Sequence, residues 1–524
     1  MTAQRTLSSR SIDYGWAAAS GVLLALSFPK YGHPAFGWIA LTPLLVALAG
    51  ARRIGHAASL RFGRAFLLGL VTGVVYFIGT LYWITQVMAV YGGLQQWVAV
   101  LVNAALIAYL ALFPAMFGVV MRRIVIAHGR PALMAAPLVW AATELGRTYI
   151  FTGFPWVLVG YSQTTVLPIA QFASLFGVYG VSMLVVTVSA ALAVAAFPGR
   201  TSNEVPYARF GPSALVLTIV IGVAVWGSRR VASAGLTREG EAIRVGVIQG
   251  NVAQDEKHDR VHASAIFANY LAMSHRALAQ GAEFILWPES ATPFLFGEDP
   301  ASEQIRALAR QAKVPMLIGS DQFEREGGGF KYYNAAFLVQ ADGTSGAAYR
   351  KMHLVPFGEY VPLKRVLFFA APLVEAVSDF TAGADAVLLP VGSHTISTSI
   401  CYEVVYPDLV RRFVTGGSEM LTTITNDAWF GPTSAPYQHF EQASMRAIEE
   451  GRYMVRAANT GISGIVDPYG RVLERTDIFQ PAVVVGEARF LRASTFYARH
   501  GDILAYAGTV MTAVLLLTAR RRVQ

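Results

Sequence analysis

Residues 65–121 read AFLLGLVTGVVYFIGTLYWITQVMAVYGGLQQWVAVLVNAALIAYLALFPAMFGVVM, without one Asp, Glu, Lys or Arg. A helix needs about 20 apolar residues to cross a bilayer, and no lipid-facing backbone group can go unpaired there. The stretch is too long for one crossing and fits two, broken near Tyr91-Gly92-Gly93. Working outward, Gly15 to Phe28 and His33 to Gly50 supply two earlier spans. Ala132 to Glu144, Ile169 to Phe197, Pro212 to Trp226 and Ile503 to Thr518 supply four later ones. The expectation is a polytopic α-helical membrane domain of about eight transmembrane helices. Composition agrees: 54 % of the 524 residues are hydrophobic and 14 % charged, against about 45–50 % and 25 % in soluble chains.

Forty-two Lys and Arg against 33 Asp and Glu leave a net charge of +9. The basic residues cluster beside the apolar runs, which favours membrane orientation over a nucleic-acid partner. Arg52, Arg53, Arg61 and Arg64 follow the second span. Arg122, Arg123 and Arg130 follow the fourth, Arg200 and Arg209 the sixth, and Arg520 to Arg522 the last. This alternation places both termini in the cytoplasm and the segment from Arg229 to about Gly501 outside. Lys30, Arg229 and Arg230 run against the pattern. The first span lacks a small-residue cleavage site and reads as an anchor. The expected domains are 1–228 (seven helices), 229–500 (an exported catalytic domain) and 501–524 (the eighth helix and a basic tail).

From Ile243 the texture changes. Arg244 to Gln249, Glu283 to Trp287 and Met316 to Gly319 read as strands, with helical stretches at His262 to Gln280 and Gln304 to Ala312. The order suggests an α/β layered fold, with antiparallel pairing at Ala335 to Gln340 and Gly346 to Tyr349. Ile396 to Ile400 is a strand entering Cys401, the single cysteine of the chain. One cysteine excludes an intrachain disulfide and a cysteine-based zinc cluster. His353, His394 and His439 are too scattered for a metal motif, so neither metal nor cofactor is expected.

Three residues suit acyl transfer by their local setting. Glu289 stands after a strand and Pro288, where a carboxylate faces a pocket. Lys351 sits among apolar residues, where desolvation makes an ammonium a proton donor or fixed cation. Cys401 occupies a strand-to-helix turn, whose backbone N–H groups favour thiolate and can bind an oxyanion. The bland readings are a buried small hydrophobe for the cysteine and surface charges for the other two. Glu144 and Arg147, at a span end, read as a snorkelling pair. Residues 362–377, apolar around Lys364 and Arg365, read as an interfacial arm or as a core helix.

Trp287-Pro288-Glu289-Ser290, Arg350-Lys351 through Glu359, and Ser399-Ile400-Cys401-Tyr402-Glu403 resemble the Glu–Lys–Cys elements of the nitrilase (carbon–nitrogen hydrolase) superfamily. Together with the spans, the chain resembles the apolipoprotein N-acyltransferase family. Gln249-Gly250-Asn251, Tyr333-Asn334, Phe357 to Pro362, Thr425 to Gly431, Arg446 through Gly461, Thr152 to Trp156 and Gly160 to Gln163 are further matches. Family members often carry Trp where this chain has His258.

The resemblance implies an αββα sandwich and transfer of an acyl chain from a phospholipid, typically phosphatidylethanolamine. The acceptor is the α-amino group of the diacylglyceryl-cysteine that begins an apolipoprotein. Glu289, Lys351 and Cys401 would be catalytic, through a Cys thioester. Glu359 would orient Lys351 or Glu289, and Tyr402 would help bind the oxyanion. Glu403 would contact the acceptor or support its loop. Asn334, Phe357, Trp429 and Phe430 would line the substrate pocket, with Trp429-Phe430 a lid or a packed pair. The implied setting is a multi-pass protein of the bacterial inner membrane, monomeric, with its catalytic domain in the periplasm. The rival readings are a membrane-tethered amidase or nitrilase acting on a soluble amide, and a transporter or receptor.

Overall fold

The computed structural model describes residues 2–50, 62–197, 206–257, 260–326, 329–356, 358–360 and 380–523. His258, Phe357 and the expected arm at 362–377 lie outside these residues. The chain divides into two compact units. One comprises Met1–Ile84, Val100–Ala232 and His500–Gln524; the other comprises Thr85–Ala99 and Ser233–Arg499.

The first unit is helical. Among the described residues, five helices are long and apolar enough to cross a membrane: Phe62–Leu81, Gln96–His128, Ala173–Ala195, Phe210–Arg238 and Ile503–Arg521. These occupy the expected third, fourth, sixth, seventh and eighth spans. The expected first span falls in the helix Thr2–Ala25, whose opening half carries Arg5, Arg10 and Asp13. Asp13 pairs with Arg64 at 2.6 Å. The second appears as Ala35–Ile39 and Thr42–Ala49, interrupted where Pro43 lacks an N–H to continue the ladder. The fifth is a 14-residue helix, Ala136–Tyr149, behind a 3-10 turn. Helix 62–81 meets helix 96–128 through Gly69 and Gly73. A Cβ at either would collide with Pro114 or Ala111, so only glycine permits this approach.

Glu144 and Arg147 do not snorkel. They are 2 % and 3 % exposed. Glu144 accepts from the Trp140 indole at 2.9 Å and the Val159 N–H at 2.7 Å, while Arg147 donates to the Trp156 carbonyl at 2.9 Å. Both charges brace the turn at 156–159, whose backbone groups have no helical partners of their own.

The second unit carries two six-stranded sheets. The strands are β1 Ala242–Gln249, β2 Phe284–Leu286, β3 Met316–Glu326, β4 Gly329–Val339, β5 Ser345–Arg350, β6 Leu389–Val391, β7 His394–Ile400, β8 Met420–Thr425, β9 Met454–Ala458, β10 Gly464–Val466, β11 Val472–Arg475 and β12 Ala482–Arg489. One sheet runs β12-β1-β2-β3-β4-β5 and the other β11-β10-β9-β8-β7-β6. In both, central strands pair in parallel (β1-β2-β3 and β7-β8-β9) and outer strands antiparallel. The sheets face each other through β1 on β9 and β4 on β7. Helices Arg260–Ala279 and Ser302–Ala312 cover the outer face of the first sheet around Tyr270, Met273, Trp287 and Ile305. Helices Pro407–Thr415 and Ala435–Glu450 cover the second. This is the expected αββα sandwich. Parallel central strands are buried on both faces, which is why β2 and β8 read as unbroken buried runs.

Candidate active site

The carboxyl ends of the central strands deliver the candidate residues. Pro288 stops β2, and the chain turns so that the Trp287 N–H reaches the Leu317 carbonyl at 2.9 Å and the Ala291 N–H the Gly319 carbonyl at 2.8 Å. A Cβ on Gly319 would collide with the Pro288 carbonyl, so glycine is what lets β3 approach this turn. Ser290 is left-handed at φ 43° and donates to Asp321 at 2.7 Å.

Glu289, thereby fixed, is 6 % exposed. Its Oε1 accepts from Asn334 Nδ2 at 2.6 Å and Lys351 Nζ at 3.4 Å, and its Oε2 from the Asn426 N–H at 2.7 Å. Lys351 leaves β5, is 1 % exposed, and donates to Glu359 Oε1 at 2.7 Å. The other Glu359 oxygen accepts from the Val355 N–H at 2.8 Å. Asn334 also reaches Glu359, at 3.3 Å, so it bridges two carboxylates that share one ammonium. Burial works against the Lys351 charge, yet Glu359 and Glu289 outweigh it and raise the ammonium above its ordinary range.

Cys401 ends β7 in a left-handed turn, φ 52°, buried at 8 % exposure. A non-glycine residue in this conformation costs about 1–3 kcal/mol and persists only where its surroundings impose it. Two buried side chains do so here. Glu403, wholly buried, receives the Ile400 N–H on Oε2 at 2.7 Å. Its Oε1 accepts from Tyr349 Oη at 2.7 Å and from the Met352 and His353 N–H groups at 2.6 and 3.0 Å. It thus clamps the lysine loop to the cysteine turn. His439 Nε2 donates to the Cys401 carbonyl at 3.1 Å. Asp427 Oδ1 lies 3.0 Å from His439 Nδ1, and its Oδ2 accepts from Arg456 at 2.8 Å. Burial opposes the Asp427 charge, but Arg456 and His439 hold its carboxyl at about 2. Burial and Arg456 push His439 below the imidazole range, against the pull of Asp427 and the bond to the Cys401 carbonyl.

Burial first, then the Glu289 carboxylate, push the Cys401 thiol well up, against the pull of Lys351 and a hydrogen bond from Thr425. A resting thiol of this kind needs a base.

Glu289, Lys351, Glu359, Asn334, Cys401 and Glu403 therefore share one buried, hydrogen-bonded neighbourhood. Tyr402 is 7 % exposed, its ring against Tyr406 and His353. Trp429 and Phe430 are half-buried in a 3-10 turn; Trp429 meets Tyr91 edge-on at 5.6 Å and Phe430 meets His439 at 5.9 Å.

Sequence reading missed two features. Lys257, 8 % exposed, donates from Nζ to the Glu289 carbonyl at 3.0 Å. Burial lowers its ammonium, opposed by Glu289, Asp321 and Cys401. In the sequence His439 stands out only as one of three scattered histidines. A signal existed for both: Lys257 follows the Gln249-Gly250-Asn251 motif closely, and Asp427 lies inside the Thr425 to Gly431 motif.

Residues 20–191 match the family model of the apolipoprotein N-acyltransferase N-terminal domain, and residues 244–493 match that of the carbon-nitrogen hydrolases. An apolipoprotein N-acyltransferase of Geobacter metallireducens is 40 % identical over 97 % of this chain and 96 % of its own. One of Methylococcus capsulatus is 35 % identical over 97 % and 96 %. An amidase structure from Nesterenkonia sp. aligns with 51 % of this chain and 97 % of its own at 20 % identity, TM-score 0.38. The resemblance read from the motifs is thus borne out: the chain belongs to the apolipoprotein N-acyltransferase family.

Proposed function

We propose that this enzyme acylates the α-amino group of a diacylglyceryl-cysteine at the start of an apolipoprotein, with a membrane phospholipid as donor. The observation that carries the chemistry is one buried cluster: Cys401 sits buried on a left-handed turn, its thiol pushed up by burial and by Glu289, and Glu289 accepts from Lys351 at 3.4 Å. Glu289 takes the thiol proton as Cys401 attacks the donor ester carbonyl. Lys351 and backbone N–H groups of the turn at Tyr402 stabilise the tetrahedral oxyanion. The C–O bond breaks, lysophospholipid leaves with the proton from Glu289, and the acyl chain remains on sulfur. The lipoprotein amine then attacks the thioester, gives up its proton through Glu289, and releases the thiol. This is a ping-pong sequence, and the thioester must be kept from water between its halves. Glu359 orients Lys351, and Glu403 keeps the lysine loop against the cysteine turn. Asn334 sets the spacing of the two carboxylates, and Trp429 and Phe430 line the acyl pocket.

The preferred donor is phosphatidylethanolamine. The protein is a monomer in the bacterial inner membrane with both termini in the cytoplasm. Residues 229–500 form the periplasmic catalytic domain between seven spans and the last helix with its basic tail. Intact mass spectrometry after incubation with phosphatidylethanolamine tests this reading. An acyl adduct on Cys401 that a diacylglyceryl lipopeptide removes is expected. Hydrolysis of small amides without such an adduct would overturn it.

A further inference from the structure

A cavity of about 480 Å³ opens in the catalytic unit away from the Cys401 cluster, sharing none of its residues. Arg452, Arg492 and Arg499 line it, with Glu419, Thr415 and Ser494. Arg452 is 3 % exposed and forms its floor. Its Nε donates to the Ser418 carbonyl at 2.9 Å, and its Nη1 to the carbonyls of Gly451 and Ala493. Among the described residues it has no carboxylate within ion-pair distance. A buried guanidinium held only by neutral carbonyls is costly unless an anion completes it.

The acidic groups nearby do not supply that anion. Glu419 is occupied: Oε1 lies 3.0 Å from Arg492 Nε and Oε2 2.5 Å from His394 Nδ1. Glu450, coupled electrostatically to Arg452 and Arg411, is wholly buried. Burial and Glu449 push its carboxyl well above the usual range, and among the described residues it makes no ion pair with Arg452. Arg499, exposed on the rim, donates among the described residues only from its Nε, to the Thr495 carbonyl at 3.3 Å. Arg411 pins that rim by donating to the Ala498 and Arg499 carbonyls at 3.0 and 3.2 Å.

Chain continuity sets the surroundings. Arg499 stands four residues before Ile503, where a helix long and apolar enough to cross a membrane begins. Four residues reach at most about 14 Å, so the rim stays near the level at which the chain would enter lipid. The geometry points to a site for the phosphate of an anionic phospholipid headgroup, gripped by Arg452, Arg492 and Arg499. Guanidinium forks suit phosphate oxygens. Occupied, the site would anchor the catalytic unit to a negatively charged lipid surface.

Isothermal titration of the full-length Cys401→Ala protein in detergent tests this, since that change removes turnover. Dihexanoylphosphatidylglycerol should bind saturably, and dihexanoylphosphatidylcholine and inorganic phosphate at least tenfold more weakly. Arg499→Gln should weaken phosphatidylglycerol about tenfold, the worth of one charge-assisted contact. Arg499→Lys should retain most of the affinity. Thr415→Glu, which adds an anion to the lining without removing a cation, should abolish it. Both positions are exposed, so unfolding temperatures should not move. Lipid held at the Cys401 site instead would be insensitive to these substitutions. Equal binding by the parent and both charge variants overturns the proposal. So does phosphatidylcholine or inorganic phosphate binding as tightly as phosphatidylglycerol. The thioester experiment is read independently, so either proposal can fail alone.

Discussion

Replacing Glu403 by Gln tests whether a buried carboxylate sets the distance between lysine and cysteine. Four donors converge on it: Oε1 takes Tyr349 Oη and the N–H groups of Met352 and His353, and Oε2 takes the N–H of Ile400. A glutamine must turn its NH2 toward one set. Facing Ile400 sacrifices the fewest bonds, yet it sets donor against donor beside the nucleophile. The lost charge-assisted bond is worth about 1.5–3 kcal/mol, and the three survivors weaken about twofold without the charge. The loop that carries Lys351 then loosens from the turn that carries Cys401. A misplacement of about 1 Å costs about 10²-fold in rate. Single-turnover acylation, followed as the thioester by intact mass, should therefore slow about 10²-fold in Glu403→Gln. Half-saturation by phospholipid should hold, because no bond to the donor is removed.

A pH dependence accompanies this. Burial raises the Glu403 carboxyl to about 7, against the N–H groups of Ile400 and His353 that favour its charge. Its folded pKa exceeds the unfolded one, so the folded state binds the extra proton. Its contribution to stability declines as pH climbs from the ordinary carboxylate value through about 7. The clamp itself forms as the carboxyl ionises, so acylation should rise across neutrality in the parent and lose that rise in Glu403→Gln. Acylation within about threefold of the parent, with the same pH profile, would refute the clamp.

Asn334→Asp would put a third carboxylate where Nδ2 now serves both Glu289 and Glu359. Acylation should fall at least 10²-fold at neutral pH and recover partly as the pH is lowered, read in the same assay. Lys257→Met should slow acylation about tenfold by freeing the Glu289 backbone, and Lys257→Arg should restore part of it; unchanged rates would leave Lys257 without a positioning role. Partial burial opposes the charge of His394, but its bonds to Glu241 and Glu419 raise it above the ordinary imidazole value. That stabilisation is full below the ordinary value and is lost as pH rises through the raised one. The fall in unfolding temperature between pH 6 and 9 should accordingly shrink in His394→Gln.

Much of this molecule was legible in one dimension because local chemistry dictates it. A charge-free run cannot sit in water, so 65–121 announced membrane helices, and Pro288 and Cys401 marked strand ends. The fifth expected span was less legible. Ala136–Tyr149 is a single short helix, and its two charges are buried against the turn at 156–159. Hydropathy reports what each residue prefers, not which distant carbonyl will neutralise it. The role of Glu403 had the same limit. Its partners lie 3, 50, 51 and 54 positions away, and nothing in Cys401-Tyr402-Glu403 reveals them.

Residue order alone thus determined the membrane helices, the layered α/β domain, the family, and the choice of Glu289, Lys351 and Cys401 as candidates. Folding decided which groups meet. It stacked two sheets so that the ends of β2, β5 and β7 converge, set Lys257 behind Glu289, and left Arg452 beside a cavity with no ion-pair partner among the described residues. The physical reason is that pattern and propensity act between near neighbours along the chain. Hydrogen bonds and charge compensation act across space, and only the closed fold brings their partners within reach.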